Sequence, residues 1–406
     1  MKFSIQGQYA VHEEQSRSSV LWMAFLLGSL ASFGPLSIDM YLPGLPSLAK
    51  DLNSSTSLAQ LSLTSCLLGI ALGQLFAGPI SDISGRRRPL LIGVSIYVVS
   101  SLLCMIAPTI WIFVMMRFIQ GLAGSAGIVI SRAIVRDLYS GSEMTRFFSL
   151  LMLVNGVAPI LAPILGGQVL QASTWRGIFL VLFVVGTIML LAVFWGLRET
   201  LPPSSRAKGG FKNTFLTFRE LIRNRTFMGY ALTQGFVLAA MFAYIAASPF
   251  VLQNIFGVSP QMFSLFFGIN GLGIIIAGQI TGRLAGRIHE RKLLIAGLTI
   301  AFVGGILLLA MILLDGGLYT ILLPLFLAIS SVGIVGTSSF SLAMQDQAKT
   351  AGSASALIGV LSFVFGGLMA PLVGISGSYT AIPMGITIAG AETAAILSYF
   401  FLVRRT

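Results

Sequence analysis

Apolar runs of about twenty residues recur along the whole chain, separated by short polar connections. A run of that length crosses the roughly 30 Å hydrocarbon core of a bilayer as an α-helix. The runs are continuous rather than alternating, which favours helices over the strands of a membrane barrel. The pattern predicts an all-α polytopic membrane protein with twelve transmembrane helices, over residues 20–42, 56–80, 89–107, 110–131, 147–170, 176–197, 227–252, 261–284, 292–314, 318–342, 353–374 and 381–403.

The most hydrophilic stretch of the chain divides these spans into two sets of six. It is rich in Pro, Gly, Ser and basic residues, which is typical of a loop, and a short amphipathic helix is predicted around Phe215–Ile222. We therefore predict an N-terminal six-helix half over residues 1–197, an inter-half loop over residues 198–225, and a C-terminal six-helix half over residues 226–406.

A short internal repeat supports a duplicated half. The segment Ala77–Ser81 reads AGPIS and the segment Ala277–Thr281 reads AGQIT, at the same place in each set of six spans. Because six is an even number, both halves enter the membrane from the same side. The repeat is then a parallel one, about an axis along the membrane normal.

The composition excludes a soluble globular domain. Only 9% of the residues are charged and 56% are hydrophobic, whereas soluble domains carry about 25% charged residues. The net charge of +12 follows membrane topology rather than indicating nucleic acid, because all but three of the 25 Lys and Arg residues lie at the cytoplasmic side if the N-terminus is cytoplasmic. The three exceptions are Lys50, Arg117 and Arg176. Both termini are therefore predicted to be cytoplasmic, in the plasma membrane.

Residues that serve enzymes or metal sites are sparse and scattered. Cys66 and Cys104 lie within apolar runs, and His12 and His289 lie in polar segments, so no metal-ligand spacing is present. No nucleophile set, cofactor site or phosphate-binding Gly-x-x-x-x-Gly-Lys-Ser/Thr loop occurs. We expect neither an enzyme nor ATP-driven transport, and no metal or organic cofactor.

The connection between the second and third spans, Gly78–Arg88, reads GPISDISGRRR. Its consecutive arginines favour a cytoplasmic position, and Gly78 and Gly85 allow close approach of the backbone. Asp82 weakens the positive signal, so topology alone does not explain it.

Asp39 and Arg117 are charged residues inside the first and fourth predicted spans. A carboxylate at membrane depth costs about 2.5–3.5 kcal/mol, so Asp39 is predicted to face a cavity and to handle protons or substrate. The alternative is a cap of the span near the interface, beside Pro43. Arg117 keeps its proton at accessible pH, so we expect it to act on a neighbouring carboxylate or a polar substrate, with Gln120 on the same face. Its alternative role is to reach the membrane surface near Trp111.

The fifth, sixth and twelfth spans carry further candidates. Pro159, Pro163, Gly166 and Gly167 remove backbone hydrogen bonds and permit close helix crossing, which predicts a span that bends. Trp175 and Arg176, at the start of the sixth span, are expected to be interfacial anchors. Glu392 lies in the middle of the twelfth span and is either a second titrating group or a residue hydrogen-bonded within helix packing.

Taken together, these motifs resemble those of the major facilitator superfamily, and specifically of the bicyclomycin-resistance (Bcr/CflA) group of drug:proton antiporters. The span 2–3 signature Gly-x-x-x-Asp-(Arg/Lys)-x-Gly-Arg-(Arg/Lys) is matched by Gly78, Asp82, Gly85, Arg86 and Arg87, with Ile83 departing from it. The span 4 signature begins at Arg117. The span 5 antiporter motif, Gly-x-x-x-Gly-Pro-x-x-Gly-Gly, is matched at Pro163, Gly166 and Gly167, with Ala162 in place of its central glycine.

The resemblance implies a role for each motif. It places Asp82 in a charge network at the cytoplasmic contact between the halves, where it latches the outward-open state. It implies that Asp39 is a coupling acid and that the span 5 motif favours antiport over symport.

The expected function is a proton-driven exporter of small, drug-like organic molecules, acting as a monomer surrounded by membrane lipid. A proton-coupled transporter of a metabolite such as an amino acid or sugar is the main alternative. A membrane enzyme or sensor is a more distant one.

Overall fold

The structure is a computed structural model that describes residues 17–139, 141–206, 212–345, 347, 351–374 and 379–403. These residues form fifteen α-helices, and the chain leaves the last of them through a π-helical turn, Tyr399–Val403. The helices are α1 (Arg17–Ala31), α2 (Phe33–Asp39), α3 (Leu45–Asp51), α4 (Thr56–Ser84), α5 (Arg87–Met105), α6 (Ile110–Leu138), α7 (Gly141–Ala172), α8 (Trp175–Gly196), α9 (Lys212–Arg223), α10 (Arg225–Phe250), α11 (Pro260–Leu284), α12 (Glu290–Leu313), α13 (Leu318–Met344), α14 (Ala351–Val373) and α15 (Ile382–Ser398).

Every predicted span coincides with a helix. Ten helices of the described chain are long and apolar enough to cross a membrane, and a bent pair, Trp22–Ala31 with Phe33–Asp51, makes an eleventh. The predicted fifth span coincides with α7, which includes the apolar segment Gly156–Ala172. The fold is therefore the predicted all-helical one of two six-helix halves, with the amphipathic helix α9 between them.

Two prolines break the first span. Pro35 has no N–H to donate to the carbonyl of Ala31, and α1 ends at Ala31. Pro43 likewise has none for the carbonyl of Asp39, and α2 ends at Asp39. The two parts of the span meet at 43°. This bend lies at Ser32, and the separate end of α2 before Pro43 places Asp39 at a helix terminus inside the bundle.

The repeat in the sequence is also a repeat in packing. A Cβ atom added to Gly73 of α4 would lie 2.1 Å from the Ser125 Oγ of α6. A Cβ atom added to Gly273 of α11 would lie 2.1 Å from the Ser330 Oγ of α13. Both glycines stand four residues before the repeated segments, and each allows the second and fourth spans of its half to cross closely.

The two halves are hydrogen-bonded at the end of the bundle where α4 begins and α10 ends, which we call the sealed end. Gln60 Nε2 of α4 donates to the carbonyl of Ala246 in α10 at 2.9 Å. The Gln253 amide donates to the carbonyl of Pro43 at 3.1 Å, across the halves and beside the break in the first span. The opposite end carries the turn between α4 and α5, where Arg86 precedes α5 and Arg87 and Arg88 begin it, and we call it the basic end.

The span 5 motif joins the broken span to the other half. A Cβ atom on Gly166 would lie 1.8 Å from the carbonyl oxygen of Met40, so only glycine fits against the break. On the facing side, Ser264 Oγ of α11 donates to the carbonyl of Pro163 at 2.7 Å and lies 2.8 Å from the Cβ position of Gly167. Helix α7 thus contacts both Met40, which follows Asp39 in the chain, and α11 of the C-terminal half.

Gly166→Ala is expected to destabilise the protein by about 1–3 kcal/mol, because the added methyl group displaces the Met40 carbonyl. The matched control is Gly268→Ala in α11, where the added carbon meets only Ile160 and Ile164 at ordinary distances of 3.6 and 3.7 Å. Thermal unfolding of the purified variants should show a lower midpoint for Gly166→Ala alone. Equal midpoints would contradict this account of the motif.

Candidate functional site

Arg117 lies at the centre of a buried polar network in the N-terminal half. Its side chain is fully buried in α6. The guanidinium donates to the carbonyl of Ser37 at 2.6 Å and to the side-chain oxygen of Gln120. It also stacks over the Tyr41 ring at 4.4 Å and lies 5.6 Å from the Phe179 ring. This burial rules out the alternative in which Arg117 reaches the membrane surface.

Gln120 closes a ring of hydrogen bonds through α2, α5 and α6, which we call the Arg117 network. Its amide donates to Ser101 Oγ at 2.7 Å, and Ser101 Oγ donates to the carbonyl of Tyr97 at 2.7 Å. The Tyr97 hydroxyl shares a 2.8 Å hydrogen bond with Ser37 Oγ. Sequence reasoning found Arg117 and Gln120 but missed the other three residues, although Tyr97 and Ser101 stand one helical turn apart in an apolar run.

The break in the first span explains why an arginine is needed here. The last carbonyls of a helix have no helical partner and form the negative end of its dipole. Ser37 belongs to the last turn of α2, and Arg117 satisfies its carbonyl. The Arg117 guanidinium has no carboxylate partner, since no ion pair of the described residues includes Arg117. The pairing of Arg117 with Asp39 that the sequence left open is therefore not formed in this structure.

Asp39 is a buried carboxylate with residues of both halves within electrostatic range. It is 5% exposed, and its Oδ1 atom is buried without a hydrogen-bond partner. It is within electrostatic reach of the Tyr244 hydroxyl of α10, which accepts a 2.9 Å hydrogen bond from the Asn270 amide of α11. This burial excludes the alternative in which Asp39 caps the first span near the membrane surface. Tyr244 and Asn270 were missed from the sequence, although an asparagine inside an apolar run is a usable signal.

Glu392 is not brought to the Arg117 network. It is fully buried in α15, with its Cγ 3.5 Å from the Cβ position of Gly305 in α12. Neither carboxylate oxygen has a hydrogen-bond partner among the described residues, so the alternative of a hydrogen-bonded packing residue is not met. A second titrating group stays a prediction. Within the described residues, no cluster of His, Cys, Asp and Glu is placed to hold a metal ion.

The charge network predicted around Asp82 lies within the N-terminal half in this structure. Arg86 donates to Asp82 at 2.5 Å and to Asp137 of α6 at 2.8 Å. Its guanidinium also donates to Ser81 Oγ at 2.8 Å. All of these residues belong to the first four spans, so the network ties the second, third and fourth spans together at the basic end.

Glu199, which sequence reasoning missed, ties the end of the sixth span to the start of the third. Its carboxylate accepts the backbone N–H groups of Arg86 at 2.8 Å and of Arg87 at 3.2 Å. Partial burial alone raises the pKa of Glu199, but the backbone donors of Arg86, Leu201, Arg87 and Thr200 together hold it below the ordinary value. These N–H groups at the start of α5 form a site that favours an anion.

Gly85 makes this contact possible. Its φ of 94° lies in the region that favours glycine. A Cβ atom at this position would stand 2.5 Å from Glu199 Oε2. The motif's second glycine therefore has a specific local role, whereas a Cβ atom on Gly78 would meet only Val129 at an ordinary 3.5 Å.

The prediction of interfacial anchors in the sixth span is wrong for Trp175. Its ring is 2% exposed, and its Nε1 donates to Asp51 at 3.0 Å. Arg176 donates to the carbonyls of Met105 and Ala107 at 2.9 and 3.0 Å, at the end of α5. A pattern of Trp followed by Arg near a span end does not distinguish a lipid-facing ring from one turned into the bundle.

Comparison with known proteins agrees with this architecture. Residues 21–371 match the family described as Major Facilitator Superfamily. A solved bacterial homologue of the human lysosomal transporter Spinster has a TM-score of 0.71 at 16% identity, covering 95% of this chain and 94% of that one. The xylose transporter XylE from E. coli has a TM-score of 0.71 at 14% identity, covering 95% of this chain and 98% of that one. At these identities the likeness is one of fold.

Relatives match over nearly the whole chain. The uncharacterized MFS-type transporter YdgK of Bacillus subtilis is 47% identical over 95% of this chain and 96% of its own length. The bicyclomycin resistance protein homolog of Haemophilus influenzae is 31% identical over 96% of this chain and 98% of its own length. The chain therefore belongs to the major facilitator superfamily of membrane transporters, within which it resembles the bicyclomycin-resistance group.

Proposed function

We propose that this transporter exports small, drug-like organic molecules in exchange for protons. The observation that carries the proposal is the position of Asp39, a buried carboxylate at the end of a broken span, without a hydrogen-bond partner for Oδ1 and within electrostatic range of Tyr244 in the other half. The name of the Haemophilus influenzae relative, a bicyclomycin resistance protein homolog, supports a drug-like substrate. The two halves expose the site alternately to each side of the membrane.

The exchange follows from the cost of burying an ionised carboxylate. An unpaired charge sealed between the halves costs several kcal/mol, so the sealed end closes around Asp39 only when the carboxylate is neutralised. A proton neutralises it on one leg of the cycle and a cationic substrate on the other. Because both compete for one acid, the movement of one requires the release of the other.

The direction of transport follows from the orientation that the positive-inside rule predicts. With the basic end in the cytoplasm, the sealed end is extracellular. A proton taken up there moves inward as substrate moves outward. A cycle that carries net positive charge inward gains about 2.3 kcal/mol per charge per 100 mV of membrane potential.

The remaining motifs serve the movement of the halves. In the proposal, Arg117 stays charged and holds the broken span in place, while α7 is the pivot between the Asp39 break and α11. The Asp82–Arg86–Asp137 network keeps the basic end of the N-terminal half rigid, ready to meet the C-terminal half when the sealed end opens. Glu392 is a second proton site within the C-terminal half.

Asp39→Asn is expected to abolish substrate-stimulated proton release, because an amide neither binds nor releases the exchanged proton. The purified protein in weak buffer is mixed with an organic cation such as ethidium, chosen from compounds to which expression confers resistance. The pH is recorded. The control is Asp315→Asn, an exposed acid in the loop after α12 whose positive φ of 52° asparagine also tolerates. Undiminished proton release by Asp39→Asn would remove Asp39 from the coupling role.

Arg117→Lys is expected to lower transport about 10- to 100-fold while the protein still inserts and folds. Lysine keeps the charge but lacks the planar group that bonds Ser37 and Gln120 together, and each charge-assisted bond contributes about 1.5–3 kcal/mol. Efflux of the same cation from energised vesicles measures the loss. Arg88→Lys, at an exposed arginine of the basic end, is the control. Wild-type efflux by Arg117→Lys would mean that only the charge matters.

Glu199→Gln is expected to lower thermal stability at pH 7 but not at low pH. The folded pKa of Glu199 is depressed, so its contribution is present above the ordinary value of 4.5 and is lost as the pH falls through the lowered folded value. Unfolding midpoints of wild type and variant should therefore converge as the pH falls from 7 to 3. Glu220→Gln, on the exposed side of α9, should not reproduce this pattern. A gap that is independent of pH would contradict the assigned role.

A further inference from the structure

A groove of about 420 Å³ runs along the outside of the C-terminal half between α12 and the end of α15. Its apolar walls include Ile295, Thr299, Ile396 and Phe400, and Arg291 and Tyr399 lie at its mouth, at the basic end. Ile295 and Phe400 are 45% and 40% exposed. Both helices are candidate membrane spans, so the groove faces lipid, and its volume is in the range of small-molecule sites.

Arg291, at the mouth of the groove, is held in a fixed orientation and has N–H groups that make no hydrogen bond to the described residues. Arg291 Nε donates to the Tyr399 hydroxyl at 2.7 Å, and its guanidinium lies 5.9 Å from the centre of that ring. A guanidinium carries five N–H donors. No carboxylate of the described residues pairs with Arg291. Its planar, fixed group is therefore suited to bind a phosphate through two parallel hydrogen bonds.

The backbone of the groove's second wall is irregular at the same level. Residues Tyr399–Val403 form a π-helical turn, a wider turn that is often found at functional sites. Tyr399 and Phe400, the first two residues of this turn, both line the groove. Arg225 of α10 stabilises this turn by donating to the carbonyl of Phe401 at 2.8 Å.

The charge around the mouth is positive. Arg283, Arg287 and Lys292 are exposed near the start of α12, and Glu290 is the acid among them. Basic pockets between membrane helices, at the level of the headgroups, bind anionic lipid headgroups. Apolar walls parallel to the helix axes continue from this basic mouth into the membrane, as an acyl chain does from its headgroup.

We propose that this groove is a binding site for one anionic glycerophospholipid. The lipid phosphate binds Arg291, and an acyl chain lies along Ile295, Thr299, Ile396 and Phe400. The site is separate from the Arg117 network and does not depend on which molecule the transporter carries.

Native mass spectrometry of the purified full-length protein tests the headgroup contact. The protein is titrated with phosphatidylglycerol and with phosphatidylcholine of the same acyl chains. Wild type should bind the first phosphatidylglycerol about tenfold more tightly than phosphatidylcholine. Arg291→Gln should lose most of this preference, and Arg88→Gln, which removes an exposed base at the basic end of the N-terminal half, should keep it. No preference in wild type, or the same preference in Arg291→Gln, would overturn the proposal.

A groove-filling variant and a cross-linking experiment test the location. Thr299→Phe should lower binding of both lipids by about fivefold or more by occupying the acyl groove, whereas Ile300→Phe, next to the groove but not lining it, should not. A photoreactive phosphatidylglycerol should label peptides of α12 and α15 in wild type. Labelling confined to other helices would contradict the site. So would unchanged lipid binding by a correctly folded Thr299→Phe variant.

Discussion

The early end of α2 at Asp39, before Pro43, is the constraint on which the functional site depends. In a membrane every free carbonyl needs a partner from within the protein, and a span broken by prolines has several such carbonyls. Arg117 supplies a partner for Ser37 at the end of α2. Arg117 thus stabilises the end of α2, whatever its role in transport. The same helix end is where Asp39 lies.

Three elements contact this break from different directions. Helix α6 holds it through Arg117, α7 packs Gly166 against the carbonyl of Met40, and Tyr244 of α10 lies within electrostatic range of Asp39. The C-terminal half also reaches it through the hydrogen bond from Gln253 to Pro43. A change in the charge of Asp39 would therefore act where both halves and the span 5 motif meet, which is what the proposed coupling needs.

Much of this architecture is predictable from the sequence. Hydrophobic length alone locates the spans, because a helix must match the thickness of the bilayer. Asp39, Arg117 and Gln120 are identified because polar side chains at membrane depth are costly and need a reason. Gly166 is identified by its motif, and the structure adds the contact with Met40 that explains it.

What the sequence does not predict is which side chains meet. The position of a residue along a span does not specify the rotation of its helix, so Asp39 and Arg117 lie at similar depths and yet do not pair. Trp175 turns into the bundle for the same reason. Glu199 is missed because its partners are backbone groups at the start of α5, which become visible only when the loop is folded.

The central claim is that the sealed end closes around Asp39 only when that carboxylate is neutral. Pulsed electron resonance between spin labels at Lys50→Cys and Asn254→Cys, one in each half at the sealed end, measures this directly. Cys66 and Cys104 are buried and stay unlabelled. In the absence of substrate, raising the pH should shift the wild-type distances to longer values, while Asp39→Asn should stay at short distances at every pH. The same pH-dependent opening in both proteins would contradict the account.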